Sequence, residues 1–185
     1  PTYAALTAKL RSEQGLRILA AAPTQPRILF SKKPVASLAD LNGVKMRVPE
    51  IKTYLTLWET LGTRPSRLAW GEIYLGLKTG VVEAAEGPIS SAYAAKFHEA
   101  ATNVIRTDHL MSSAHITMNE KAYAALAPDL QKLVTDCAAD AVQNTRRTAQ
   151  QETEDVVRKM AAEGAKVTAI DKAPMKRTAA YDGPG

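Results

Sequence analysis

Asn42-Gly-Val-Lys-Met-Arg-Val-Pro-Glu-Ile-Lys-Thr-Tyr-Leu-Thr-Leu-Trp-Glu-Thr-Leu-Gly62 is the stretch on which the fold turns. Residues 44–48 read as a strand, and Pro49, which has no N–H to give to a sheet, stops it. Residues 50–61 read as a helix. Leu55, Trp58 and Leu61 or Leu57 fall on its apolar face, and Gly62 is its C-terminal stop. Just upstream, Ser37 has a carboxylate three residues on at Asp40, the spacing of a capping box. The turn of helix it starts ends at Asn42-Gly43. A short turn, a strand and a helix in close succession make one step of an α/β chain.

The step recurs along the sequence. Residues 67–70 read as a strand, 71–79 as a helix closed by Gly80, 81–84 as a strand and 89–100 as a helix. Further strands are expected at 16–20, 27–30, 103–107, 115–119 and 166–170. A first helix is expected at 3–14, closed by Gly15. Strands alternating with helices over short connections predict an α/β fold with helices on both sheet faces. After Pro128 the pattern changes. A helical stripe of Leu130, Leu133, Val134, Cys137, Ala141 and Val142 continues weakly to Met160. About 36 residues span roughly 54 Å at the helical rise. Its middle, 143–155, is almost wholly polar. A helix apolar at both ends and polar between them predicts a bridge joining two cores. The tail, 181–185, reads as a frayed end.

Composition excludes several classes of function. The chain has 24 Lys+Arg against 19 Asp+Glu, a net charge of +5. The first 100 residues hold 13 basic and 8 acidic side chains, so the whole excess lies there. That excess is small and dispersed, which argues against nucleic acid and leaves room for a small anion. No apolar run approaches the roughly 20 residues that cross a bilayer. A lone cysteine, Cys137, excludes a disulfide framework and a cysteine metal cluster, and it reads as a small core residue on the long helix.

Motifs for enzymatic chemistry are missing. The sequence holds no GxGxxG, GK[ST], HExxH, GxSxG or CxxC. His98, His109 and His115 lack metal-ligand spacing, so neither metal nor cofactor is expected. Glu83 and Glu86 make a carboxylate pair with no partner base in sight. Arg47 is different. It ends a strand just before a helix start, where open α/β sheets bind ligands. A guanidinium there can grip a carboxylate with two parallel hydrogen bonds, or it can simply serve a structural ion pair.

Four ordered segments carry a resemblance: 33–50, with its Arg47-Val48-Pro49; 70–88; Tyr93-Ala-Ala-Lys-Phe97 with the strand bearing His109; and 126–132. Together the chain resembles the DctP-type solute-binding proteins of TRAP transporters over about residues 15–170. The resemblance implies a periplasmic-binding-protein-like, two-domain α/β architecture crossed by one long helix. It implies a periplasmic receptor, not an enzyme, that binds an organic acid and delivers it to TRAP permease subunits. Arg47 matches the family's carboxylate clamp, Arg27 a second arginine of some members, and Trp70 a pocket aromatic. Glu86 and Gly87 fall on a pocket motif where many members carry Asn in place of Gly87. The glycine removes a hydrogen bond and adds space, which favours a bulkier or aromatic acid.

The resemblance also implies that the family's first elements lie outside this chain, which starts at Pro1 and shows no signal-peptide pattern. Residues 1–24 and 113–150 are then expected to be a remnant of the N-terminal domain plus part of the bridging helix. Residues 25–112 and 151–185 are the ligand-binding C-terminal domain. Apolar surface left uncovered by such a split favours oligomers. A sensory or regulatory domain of similar fold is the alternative. It would need a fused signalling segment, which this sequence does not show.

Overall fold

The structure is a computed structural model that describes residues 2–171. The tail expected to fray, 181–185, lies outside them. In chain order the elements are α1 (Tyr3–Gln14), β1 (Leu16–Pro23), β2 (Arg27–Ser31), β3 (Lys45–Val48), α2 (Lys52–Thr60), β4 (Arg64–Arg67), α3 (Ile73–Thr79) and β5 (Ala84–Pro88). There follow α4 (Ile89–Ala94), α5 (Phe97–Ala100), β6 (Asn103–Leu110), β7 (Ser113–Asn119), α6 (Glu120–Ala124), α7 (Pro128–Ala162) and β8 (Lys166–Ala169). The chain divides into two compact units. One is the chain up to Thr24 with Ser112–Gln151; the other is Gln25–Met111 with the chain from Glu152 onward.

The first unit is small. The Thr2 side chain caps α1 by accepting the Ala5 N–H, and Gly15 closes it at φ 62° with its N–H on the Leu10 carbonyl. β1 and β7 pair antiparallel from Leu16↔Asn119 to Pro23↔Ser113. Arg17 grips Glu120 with both ends of its guanidinium, at 2.8 and 2.9 Å, and lies over the Tyr123 ring. Ala22, Ala138 and Val142 are buried, while Leu130 and Leu133 are 44% and 55% exposed. Cys137 is exposed, contrary to the core position read from its stripe. The inward side of α7 here runs through Ala138 and Val142, and one residue turns a helix by about 100°. That rotation carries Leu130, Leu133 and Cys137 outward.

The second unit is built on a six-stranded sheet of order β4-β3-β5-β2-β6-β8. β2 runs antiparallel to both β5 and β6, and the other pairings are parallel. One face buries Ile28, Phe30, Ala85 and Val104 under Ile73, Leu77, Ile89, Phe97, Val156 and Met160. The opposite face buries Leu29, Met46, Val48, Ala84 and Ile105 under Leu41, Trp58 and Leu61. Helices therefore cover both faces, as the alternation predicted. The Asp40 carboxylate accepts the Ser37 N–H at 2.8 Å and the Ala36 N–H at 2.9 Å, closing the turn before β3. Those bonds hold the Asp40 carboxyl below the usual carboxylate range.

Several boundaries differ from the sequence reading. The strand expected at 67–70 is Arg64–Arg67, paired with β3 from Lys45↔Arg64 to Val48↔Arg67. Pro65 is tolerated because β4 is an edge strand. Trp70 instead opens a 3₁₀ turn, Trp70–Glu72, and the Glu72 carboxylate accepts the Ala69 N–H at 3.1 Å. The strand expected at 81–84 is Ala84–Pro88, placed by its register with β2. The helix expected at 89–100 is two helices, because Lys96 takes a left-handed φ of 60° between them. α6 was not anticipated.

Candidate functional site

The site grows from one end of the six-stranded sheet. β3, β5 and β6 finish there and β2 begins there, which brings Arg47, Glu86, Gly87, His109 and Arg27 to the same edge. Strand alternation sorts them. Met46 and Ala84 face one core, so Arg47 and Ala85, paired across the ladder, face the other. Gly87 shares the face of Arg47, and Glu86 lies on the opposite one.

Glu86 is completely buried and fully engaged. Arg27 donates to both its oxygens, at 2.5 and 2.6 Å, and the His109 ring lies 3.2 Å away. The other nitrogen of His109 is 2.8 Å from the Thr107 hydroxyl. Tyr54 lies under the Arg27 guanidinium at 4.9 Å, and Trp58 packs edge-on against His109 at 5.1 Å. Burial pushes the Glu86 carboxyl up, but the bonds from His109 and Arg27 outweigh it and hold the group below its ordinary range. Burial likewise opposes the Arg27 charge, and Glu86 more than offsets it, so Arg27 holds its proton more tightly than usual. Glu83, read beside Glu86 as a carboxylate pair, is drawn away to Lys33 at 2.8 Å and to the Lys45 N–H at 3.2 Å.

Arg47 has no such carboxylate. The residue is 4% exposed, its Nε donates to the Leu68 carbonyl at 2.9 Å, and its buried Nη1 has no hydrogen-bond partner. Burial lowers its proton affinity, Glu86 nearby works against that, and Arg27 adds to it. Two arginines thus stand near one buried carboxylate, and Arg27 has taken both of its oxygens. A buried cation with an unused donor is costly until an anion arrives.

Trp70 forms the wall beside it. The Arg47 guanidinium lies 5.8 Å from the indole centre, and the indole packs on Phe97 at 5.0 Å. Gly87 lies beneath the indole. A β-carbon there would stand 3.0 Å from Trp70 Cη2 and 3.2 Å from Cζ3. The room that glycine was expected to add is therefore filled by Trp70. The second unit contains all five residues singled out from sequence: Arg47, Trp70 and Gly87 on one side, Arg27 and Glu86 on the other. His109, Tyr54 and Trp58 were missed as site residues. Their only prior signal was a polar or aromatic side chain within an otherwise apolar pattern.

A cavity of about 260 Å³ in the first unit is lined by Thr7, Ala8, Arg11, Arg17 and Ile18. Both of its arginines are already paired with Glu120, so it offers a weaker claim on an anion. Among the described residues no group of three His, Cys, Asp or Glu is placed to hold a metal ion. No described helix is long and apolar enough to cross a membrane.

Known proteins share this arrangement of elements. A solute-binding protein of Roseobacter denitrificans is 36% identical over 121 residues, 65% of this chain and 37% of that protein. The ectoine/5-hydroxyectoine-binding periplasmic protein UehA of Ruegeria pomeroyi is 30% identical, over 74% of this chain and 40% of its own. The chain spans less than half the length of the curated relatives it matches. Among solved structures, a TRAP periplasmic solute-binding protein from Escherichia fergusonii in an apo open form superposes with a TM-score of 0.90 at 26% identity. It covers 98% of this chain and 62% of the other. A Roseobacter denitrificans protein with bound L-galactonate gives 0.84 at 28% identity, over 95% of this chain and 59% of the other. The family model for bacterial extracellular solute-binding protein family 7, the DctP family, matches residues 1–181. With nearly the whole length matched and the fold shared, the chain belongs to the DctP family of bacterial extracellular solute-binding proteins.

Proposed function

We propose that this chain is the ligand-capturing part of a periplasmic receptor that binds an organic carboxylate and delivers it to a TRAP-type membrane transporter. The observation that carries the proposal is Arg47: a buried guanidinium at a strand end, with Nη1 unpartnered and the nearby carboxylate already committed to Arg27. A ligand carboxylate supplies both the missing acceptor and the missing charge. In this reading Arg47 is the clamp and Trp70 is the wall of the pocket. Gly87 is the seat of that wall, and Arg27 with Glu86 is the pair that frees Arg47 for the ligand. The role is capture and release, not turnover. Relatives of known structure carry L-galactonate and β-D-galacturonate, both carboxylates.

The partners proposed are the acid and the TRAP permease subunits. We read the first unit as part of the receptor's N-terminal domain with the first stretch of α7, and the second unit as its ligand-binding C-terminal domain. The exposed Leu130, Leu133 and Ile116 of the first unit call for cover, from the rest of the receptor or from a second copy. The test is thermal unfolding of the full-length protein with a panel of uronic, aldonic and aromatic acids. A ligand at a hundred times its Kd adds about 2.7 kcal/mol, a rise in Tm of several degrees. At least one acid is expected to give that rise, and Arg47→Ala to abolish it. No rise with any acid overturns the proposal.

A further inference from the structure

We infer that Trp70 and Gly87 form one specificity element, which selects carboxylates carrying an apolar or aromatic face next to the carboxyl group. The inference rests on the carboxylate reading of Arg47 and names the ligand class for that same site.

Gly87 is not glycine for the sake of its backbone. Its φ is not among the positive values found at Gly15, Gly43, Gly62, Gly80 and Gly164. It sits within β5, paired with Ile28 of β2, where any L-residue fits the backbone. What requires glycine is space, since the benzo edge of Trp70 occupies the place of a side chain at 3.0 and 3.2 Å. A β-carbon would force the indole to give way, and anything larger would evict it. Gly87 and Trp70 are therefore a matched pair.

The pair changes what the site offers. At residue 87 the sheet end presents no side-chain donor or acceptor. In that place stands an indole held from behind by Phe97 and still 38% exposed. The Arg47 guanidinium is 5.8 Å from the ring centre. A carboxylate on Nη1 brings the next atoms of the ligand alongside the indole. A hydroxyl at that point loses water and gains no partner from residue 87, a cost. An aromatic or methylene face gains contact with the ring. The pocket wall thus rewards apolar skeletons and penalises polyhydroxylated ones.

The test measures affinities of the full-length protein for phenylacetate and for D-galacturonate by calorimetry, in native form and in four variants. The native protein is expected to prefer phenylacetate. Trp70→Ala should weaken phenylacetate about two- to tenfold and galacturonate by less than twofold. Trp70→Phe, which keeps a smaller flat ring, should fall between and guards against a variant that fails to fold. Gly87→Asn, which displaces the indole and adds an amide, should shift the preference toward galacturonate. A native preference for galacturonate, or equal weakening of both acids by Trp70→Ala, overturns the inference while the carboxylate reading stands. Affinities indifferent to Arg47→Ala overturn the reading beneath it.

Discussion

Replacing Glu86 with glutamine removes the one buried carboxylate that neutralises Arg27. The side chain is 0% exposed and takes two bonds from Arg27 and one contact from His109, so no water replaces what is lost. Glutamine keeps the shape and one acceptor oxygen, but it turns a fork that accepts two parallel N–H groups into one that accepts a single N–H. It leaves Arg27 and Arg47 as two buried cations with no counter-charge. Breaking a buried pair by removing one partner costs about 3–5 kcal/mol. At the low end, glutamine's retained hydrogen bond returns about 1 kcal/mol, so the expected loss is about 2–4 kcal/mol. The assay is urea unfolding followed by tryptophan fluorescence. Trp58 and Trp70 are the chain's two tryptophans and both lie in the second unit, so the signal reports that unit alone. The midpoint should fall with the slope unchanged, as for a change in stability rather than compactness. A loss under about 1 kcal/mol, typical of an exposed pair, would refute the claim that Glu86 is the internal counter-charge of the site.

Four further outcomes follow from the same structure. The Glu86 carboxyl is held below its unfolded value, so its contribution is fully present above that unfolded pKa of about 4.3 and is lost as pH falls through the lower folded value. Acid titration of stability should therefore show a steeper loss below about pH 4 in the native protein than in Glu86→Gln. In the 185-residue chain by itself, Leu133→Lys should change stability by less than about 0.5 kcal/mol by urea unfolding, because Leu133 is 55% exposed there; a large loss would return it to a core of the first unit. Lys96→Gly should stabilise by about 0.5–1 kcal/mol in thermal unfolding, since Lys96 takes φ 60° between α4 and α5. Phe97→Ala removes a fully buried ring that packs against both Phe30 and Trp70. It should cost about 3–5 kcal/mol and shift the Trp70 emission to the red.

The elements that could be read in sequence were those whose signals are local. Gly15 closes α1 because its left-handed conformation is a property of that residue, and Asp40 caps the turn before β3 over three positions. Arg47 stood out because a strand end before Pro49 is legible in a few residues. The errors came where packing overrides propensity. Val81-Val82 has the β-branched pattern of a strand. The real strand is Ala84-Ala-Glu-Gly-Pro88, poor in β-formers but fixed between β3 and β2 by its register. Pro65 lies in a strand that an edge position permits. The partners of Glu86 were out of reach for a different reason. Arg27 is 59 residues away and His109 is 23 away, and only the order β5-β2-β6 brings them together. Gly87 was legible as a missing side chain, but the indole that fills its place was not, because Trp70 was assigned to a strand that ends three residues before it.

The central claim is that Arg47 is a buried cation waiting for a ligand carboxylate. Its most direct test is calorimetric affinity of the full-length native protein and of Arg47→Ala for the acid giving the largest thermal shift. Truncating one partner of a buried, hydrogen-bonded charge pair costs about 2–5 kcal/mol, so affinity should fall about thirtyfold at the least and beyond a thousandfold at the most. Arg47→Lys should recover only part of it, because a lysine lacks the planar fork. An Arg47→Ala protein that folds as the native one does and binds the acid with unchanged affinity would contradict the account.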